Sequence, residues 1–86
     1  MTKDQIEQAV KAYVLGEFLP DEKPDALDAS TPLISGGILD SIATLKLVAH
    51  LEDTYAIEFE AHEVSADHLD TLGDIANIVE SKVAAK

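Results

Sequence analysis

The sequence predicts an all-α fold: a small four-helix bundle of three longer helices and one short third helix, with a long first loop. Three observations lead there. Apolar residues recur at helical spacing in three stretches, and a Thr or Asp start signal stands before each. No segment alternates apolar and polar residues as a half-buried strand would. The chain has 86 residues, which accommodates one domain, 1–86, and leaves no cleft between two domains. Its hydrophobic content is 47% but its aromatic content only 5%, so the core has to be built from Leu, Ile, Val and Ala.

The first helix starts at Thr2, where Thr2-Lys3-Asp4-Gln5 has the form of a capping box: the threonine hydroxyl satisfies the N–H of Gln5, and Gln5 reaches back. Ile6, Val10, Tyr13, Val14 and Phe18 form its apolar stripe. Gly16 lies inside the stripe at a cost of about 1 kcal/mol of helix propensity, and Pro20 sets the latest end. A long connection follows, from Asp21 to Leu39, with Pro24, Pro32 and Gly36-Gly37. A loop of that length is not idle in so small a domain, and Leu27, Leu33, Ile34, Ile38 and Leu39 are expected to pin it across the bundle.

The second helix is expected from Asp40 or Ser41 to about Tyr55. A short third helix is expected within Ala61–Asp67. The fourth opens at Thr71-Leu72-Gly73-Asp74, a threonine cap with an acid three residues on, and carries Leu72, Ile75, Ala76, Val79 and Val83 along one face.

The second helix has two apolar faces. At 100° per residue, Thr44, Leu47, Val48, Leu51 and Tyr55 share the side that suits a core. Ile42, Leu45 and Ala49 share a neighbouring side, with Ser41 and Glu52 beside them. Either the helix is central and buried on both sides, or the second strip is an exposed docking surface for a partner protein. Ser41 also has two readings. It can cap the helix itself, as serines there usually do. Alternatively Asp40 caps, which leaves Ser41 at the first helical position with its hydroxyl outward, where the positive helix end favours an attached anion.

Charge narrows the partners. Seventeen acids against six lysines give a formal net charge of −11, which repels nucleic acid and anionic membranes. A basic protein partner, or a metal ion, fits better. Residues 47–81 hold nine acids and no Lys or Arg. Within them, Glu58, Glu60, Glu63, Asp67, Asp70 and Asp74 read first as a solvated face. No cysteine is present, which excludes disulfides, thiolate zinc sites and cysteine nucleophiles. The chain shows neither a membrane-length apolar run nor a signal peptide at its start, and the expected location is the cytoplasm.

Other chemistries fare poorly. A calcium-binding reading has acidity in its favour but lacks the Asp-x-Asp-x-Asp-Gly loop with its closing Glu. A serine hydrolase would need a Gly-x-Ser-x-Gly elbow and a base near Ser41, but His50 falls well away from it on the helix. His50, His62 and His68 lack i, i+4 zinc spacing and read as solvated or capping residues. Gly36-Gly37 is not followed by Gly-Lys-Ser/Thr and is no phosphate loop.

The run Leu33-Ile34-Ser35-Gly36-Gly37-Ile38-Leu39-Asp40-Ser41-Ile42, followed by Leu45, Leu47-Val48 and Leu51-Glu52, resembles the signature of acyl and peptidyl carrier proteins. The resemblance extends over nearly the whole chain, through Thr31-Pro32-Leu33 and Thr71-Leu72-Gly73-Asp74-Ile75. It implies a non-catalytic carrier with 4′-phosphopantetheine, donated by coenzyme A, on Ser41 after Asp40. The carrier shuttles thioester-linked acyl groups, and its sulfur comes from the pantetheine rather than from a cysteine. It further implies docking through Ile42, Leu45, Ala49 and Glu52. The implied partners are a phosphopantetheinyl transferase together with acyl- or amino-acid-activating and acyl-transferring enzymes, and the expected state is a monomer.

Two departures point to a specialised member. Carriers of fatty-acid synthesis usually read Gly-x-Asp-Ser, whereas Gly37-Ile38-Leu39-Asp40-Ser41 is one residue longer and more similar to D-alanyl and other stand-alone aminoacyl carriers. Ala43 and Lys46 stand where the fatty-acid carriers place acids.

Overall fold

The computed structural model describes residues 2–85, all of the chain but its two terminal residues. Helix α1 spans Lys3–Phe18, α2 Ser41–Tyr55, α3 Ala66–Leu69 and α4 Leu72–Ala84, with single 3-10 turns at Pro24–Ala26 and Ala61–Glu63. Among the described residues there is no strand. The four-helix reading holds, with one correction. The third helix, expected within Ala61–Asp67, is divided: the 3-10 turn ends at Glu63, and α3 begins only after Ser65, whose extended backbone (φ −156°) starts it afresh.

The helix ends follow from local chemistry. The Thr2 hydroxyl accepts from the Gln5 N–H at 3.2 Å, and the Gln5 side-chain oxygen accepts from the Thr2 N–H at 2.9 Å. That pairing satisfies two donors that a bare helix start leaves open. The Thr71 hydroxyl caps α4 by accepting from the Asp74 N–H at 3.0 Å. Helix α2 ends at Ala56 in the left-handed region (φ 54°), so that the N–H groups of Ala56 and Ile57 both reach the Glu52 carbonyl.

The core is aliphatic. Ile6, Val10 and Val14 of α1, Leu47 and Leu51 of α2, Leu69 of α3 and Leu72, Ile75 and Val79 of α4 are fully buried together. Each such side chain contributes about 1.5–3 kcal/mol by leaving water. Helices α1 and α4 form the most extensive helix pair. The first loop enters the same core through Leu27, Leu33 and Leu39, while Ile34 and Ile38 are half-buried against it. Thr44 is the one buried polar residue among those described, and its hydroxyl donates to the Asp40 carbonyl at 2.8 Å.

Polar ties hold the loop from the α3–α4 side. Asp28 closes a turn, with its Oδ1 accepting from the N–H and hydroxyl of Ser30 and from the hydroxyl of Thr31. The Ala29 carbonyl accepts from the Gly73 N–H at 3.1 Å. Asp70, between α3 and α4, grips residues 33–35: its Oδ1 accepts from the N–H groups of Ile34 (2.9 Å) and Ser35 (2.8 Å), its Oδ2 accepts from the Ser35 hydroxyl (2.7 Å), and its carbonyl accepts from the Leu33 N–H.

Candidate functional site

Asp40 and Ser41 divide the start of α2 between them. Asp40 is the cap: its Oδ1 accepts from the Ala43 N–H at 2.7 Å and its carbonyl accepts from the Thr44 N–H at 2.9 Å. Ser41 is therefore the first helical residue. It is exposed, and among the described residues its hydroxyl makes no hydrogen bond. No acid occupies the first turn of α2, so the positive helix end is met there by the Asp40 capping carboxylate and by no acid within the turn itself.

Beside Ser41 lies an open cleft of about 370 Å³. Its walls come from three parts of the chain: Ile34 and Leu39 of the first loop, Thr44 and Leu45 of α2, and Val64 and Ser65 ahead of α3. The lining is mainly apolar and includes Asp40 and Ser41.

The two faces of α2 separate as their spacing predicts. Thr44, Leu47, Val48, Leu51 and Tyr55 are buried. Ile42 and Leu45 are 68% and 60% exposed, unusual for large apolar side chains, and Ala49 is exposed between them and Glu52. Of the two readings of that strip, burial on both sides is excluded. Glu52 has an internal task as well, since its Oε2 accepts from the Phe59 N–H at 2.8 Å and holds the chain after α2. Lys46, exposed on the same helix, makes no ion pair among the described residues.

The histidines differ partly from expectation. His62 is exposed, within 3.4 Å of the Glu60 carboxylate, and edge-on to His68. His50 is neither fully solvated nor a cap, because its ring stacks on Tyr13 of α1. Among the described residues no group of three or more His, Cys, Asp or Glu is placed to hold a metal ion, and no helix is long and apolar enough to cross a membrane.

Several residues of the acidic stretch are structural rather than a plain solvated face. Glu63 accepts from the Glu60 N–H and pairs with Lys82 at 2.8 Å, both side chains being about four-fifths covered. Lys82 also lies over the Phe59 ring. The Glu60 N–H, then the Lys82 ammonium, lower the Glu63 pKa from the usual carboxylate value. Asp70 is shifted the same way, first by the Ser35 hydroxyl and then by the Ser35 and Ile34 N–H groups. Sequence reasoning missed the role of Asp70, because its partners lie 35 and 36 residues away and no local pattern marks the pairing.

A family model for the phosphopantetheine attachment site matches residues 12–79. The chain belongs to that family, the acyl and peptidyl carrier domains. No curated protein matches the chain. Domains of this family bear 4′-phosphopantetheine, and they work with phosphopantetheinyl transferases and biosynthetic enzymes as carriers rather than catalysts. The structure suits such a group: an exposed serine hydroxyl stands at a helix start whose first turn holds no acid, just after the Asp40 cap, and an apolar cleft adjoins it.

Proposed function

We propose that residues 1–86 act as one carrier domain with 4′-phosphopantetheine on Ser41, shuttling acyl groups between biosynthetic enzymes in the cytoplasm. The observation that carries the reading is the division of labour at α2. Because Asp40 caps the helix, the Ser41 hydroxyl is left exposed and unengaged at the helix start, inside the matched family region. When attached, the group supplies a terminal thiol that holds an acyl cargo as a thioester. The chain's own residues hold and present it. The end of α2 favours the phosphodiester charge, and Asp40 fixes the first turn. The exposed strip of Ile42, Leu45 and Ala49, with Glu52 at its far end, sets register on a partner enzyme. So small an apolar strip permits release after each visit, while the acidic surface speeds encounter with basic patches. The domain performs no catalysis of its own and acts as a monomer.

Incubation with coenzyme A and a phosphopantetheinyl transferase, read by intact mass, tests this. One adduct is expected on the natural chain and none on Ser41→Ala; an adduct that survives Ser41→Ala would overturn the assignment.

A second reading narrows the cargo: a stand-alone aminoacyl or peptidyl carrier loaded by an amino-acid-activating enzyme. The absence of acids from the first turn of α2 and the exposed Lys46 favour it over fatty-acid service, since enzymes of that pathway are expected to meet acids there. Offering the pantetheinylated protein to panels of amino-acid-activating and fatty-acid enzymes separates the two. Loading by the fatty-acid enzymes alone would reverse this preference.

A further inference from the structure

The segment that leads into Ser41 is held by a residue between α3 and α4. Asp70 takes three hydrogen bonds from Ile34 and Ser35 on its carboxylate and a fourth, from Leu33, on its carbonyl. From that anchor the loop closes on itself: Gly37 donates to the Ile34 carbonyl at 3.1 Å, and Leu39 donates to the Leu33 carbonyl at 2.9 Å. Leu39 is buried, and the next residue is Asp40, the α2 cap. A continuous set of hydrogen bonds thus runs from Asp70 through Leu33 to Leu39, the residue before the α2 cap.

The same contact sets the cleft. Ile34 lines one wall, Val64 and Ser65 line the wall ahead of α3, and Asp70 directly follows α3. Bonding the Ile34 N–H to Asp70 therefore ties the two walls together. Ser35 and the loop tip are exposed, so no apolar burial would hold residues 35–37 in place without this tie.

We infer that Asp70 is a positioning residue for the attachment reaction: through Leu33–Ser35 it pre-arranges the loop and cleft wall that a phosphopantetheinyl transferase meets beside Ser41. The inference rests on the Ser41 reading above. Asp70 does not touch the reacting hydroxyl. Its effect is on binding, because a transferase that meets a loose loop has to order it on contact. Losing the tie should therefore raise the KM for the carrier and leave kcat nearly unchanged.

The test uses the full chain with Asp70→Ala, Asp70→Asn and Ser35→Ala, in a steady-state assay of pantetheine transfer from coenzyme A across carrier concentrations. Asp70→Ala should raise KM about three- to tenfold with kcat within about twofold. Asp70→Asn keeps an oxygen for the two N–H groups and should recover most of the loss, as should Ser35→Ala, which removes one bond only. Amide hydrogen exchange at Gly37 and Leu39 should quicken in the same order. Ile6→Val, a core change on α1 that removes none of the Asp70 hydrogen bonds, controls for stability alone and should leave KM unaltered. An unchanged KM in Asp70→Ala, or an equal rise in Ile6→Val, would overturn the inference. An adduct remaining on Ser41→Ala would instead overturn the Ser41 assignment, so the two failures are distinct.

Discussion

The ring of His50 on α2 lies flat on the ring of Tyr13 on α1, with centroids 3.7 Å apart and planes within 9° of each other. Phe18 lies edge-on to Tyr13, with centroids 5.9 Å apart. In a chain with so few aromatics, this is the main aromatic contribution to holding α2 against α1. Stacked pairs contribute about 0.5–1.5 kcal/mol beyond their buried area. A double-mutant cycle with Tyr13→Ala and His50→Ala, followed by urea denaturation, should give a coupling energy in that range. Additivity of the two single changes would show that the rings merely coincide in space.

Three glycines should respond to alanine with opposite signs. A Cβ at Gly36 would sit 2.2 Å from the Pro32 carbonyl oxygen, closer than any contact can be, and Gly37 occupies φ +82°. Gly36→Ala should destabilise by about 1–3 kcal/mol through forced movement of the turn, and Gly37→Ala by about 1–2 kcal/mol through its left-handed backbone. Gly16 is exposed on α1 with nothing within 4 Å of its missing Cβ. Gly16→Ala should therefore stabilise by up to about 1 kcal/mol. Thermal melts of the three variants check the signs directly.

Those glycines also show what could be read in advance. The ends of α1, α2 and α4 were legible because each is decided within four residues, by Thr2 with Gln5, by Asp40 with Ala43, and by Thr71 with Asp74. The two faces of α2 were legible from period alone. The break at Ser65 was overlooked because apolar spacing across so few residues cannot place one helical turn, although a serine before Ala66-Asp67 is itself a start signal. The Asp70 contacts and the cleft walls depend on residues brought together from distant parts of the chain, and no short pattern records them. The turn at Gly36-Gly37 is likewise closed by hydrogen bonds that the residue pair does not announce, from Gly37 to Ile34 and from Leu39 to Leu33.

Ala56 offers a stabilising change. It terminates α2 at φ 54°, a conformation in which a Cβ is crowded and glycine is at ease. Both cap N–H groups already reach the Glu52 carbonyl, so glycine would keep the geometry while relieving the crowding. Ala56→Gly should gain about 0.5–1 kcal/mol, after the extra freedom of the unfolded chain is counted. In a domain of this size that corresponds to a melting temperature higher by roughly 2–8 °C. A lower melting temperature would mean that the Ala56 side chain has packing value that its exposure does not indicate.

Acid should weaken the fold through the carboxylates whose pKa values are lowered. For Asp70 the Ser35 hydroxyl is the leading cause, for Asp28 the Ser30 N–H, and for Glu63 the Glu60 N–H. A group with a depressed folded pKa binds its proton more readily when unfolded. Its contribution is therefore complete above the ordinary carboxylate pKa and is lost as pH falls through the folded value, over a window of about pH 5 to pH 2. A second effect opposes this: protonation relieves the self-repulsion of a chain at −11, so the overall stability curve mixes the two. Comparing the natural chain with Asp70→Asn separates them, since the two differ by a single charge. The natural chain should be the more stable at pH 7, with the gap closing across the acid window. Raising the salt concentration should stabilise both proteins while largely preserving the gap, because screening acts on spread charge more than on a carboxylate held by hydrogen bonds. A gap that is constant with pH would show that Asp70 holds the loop equally well without its charge.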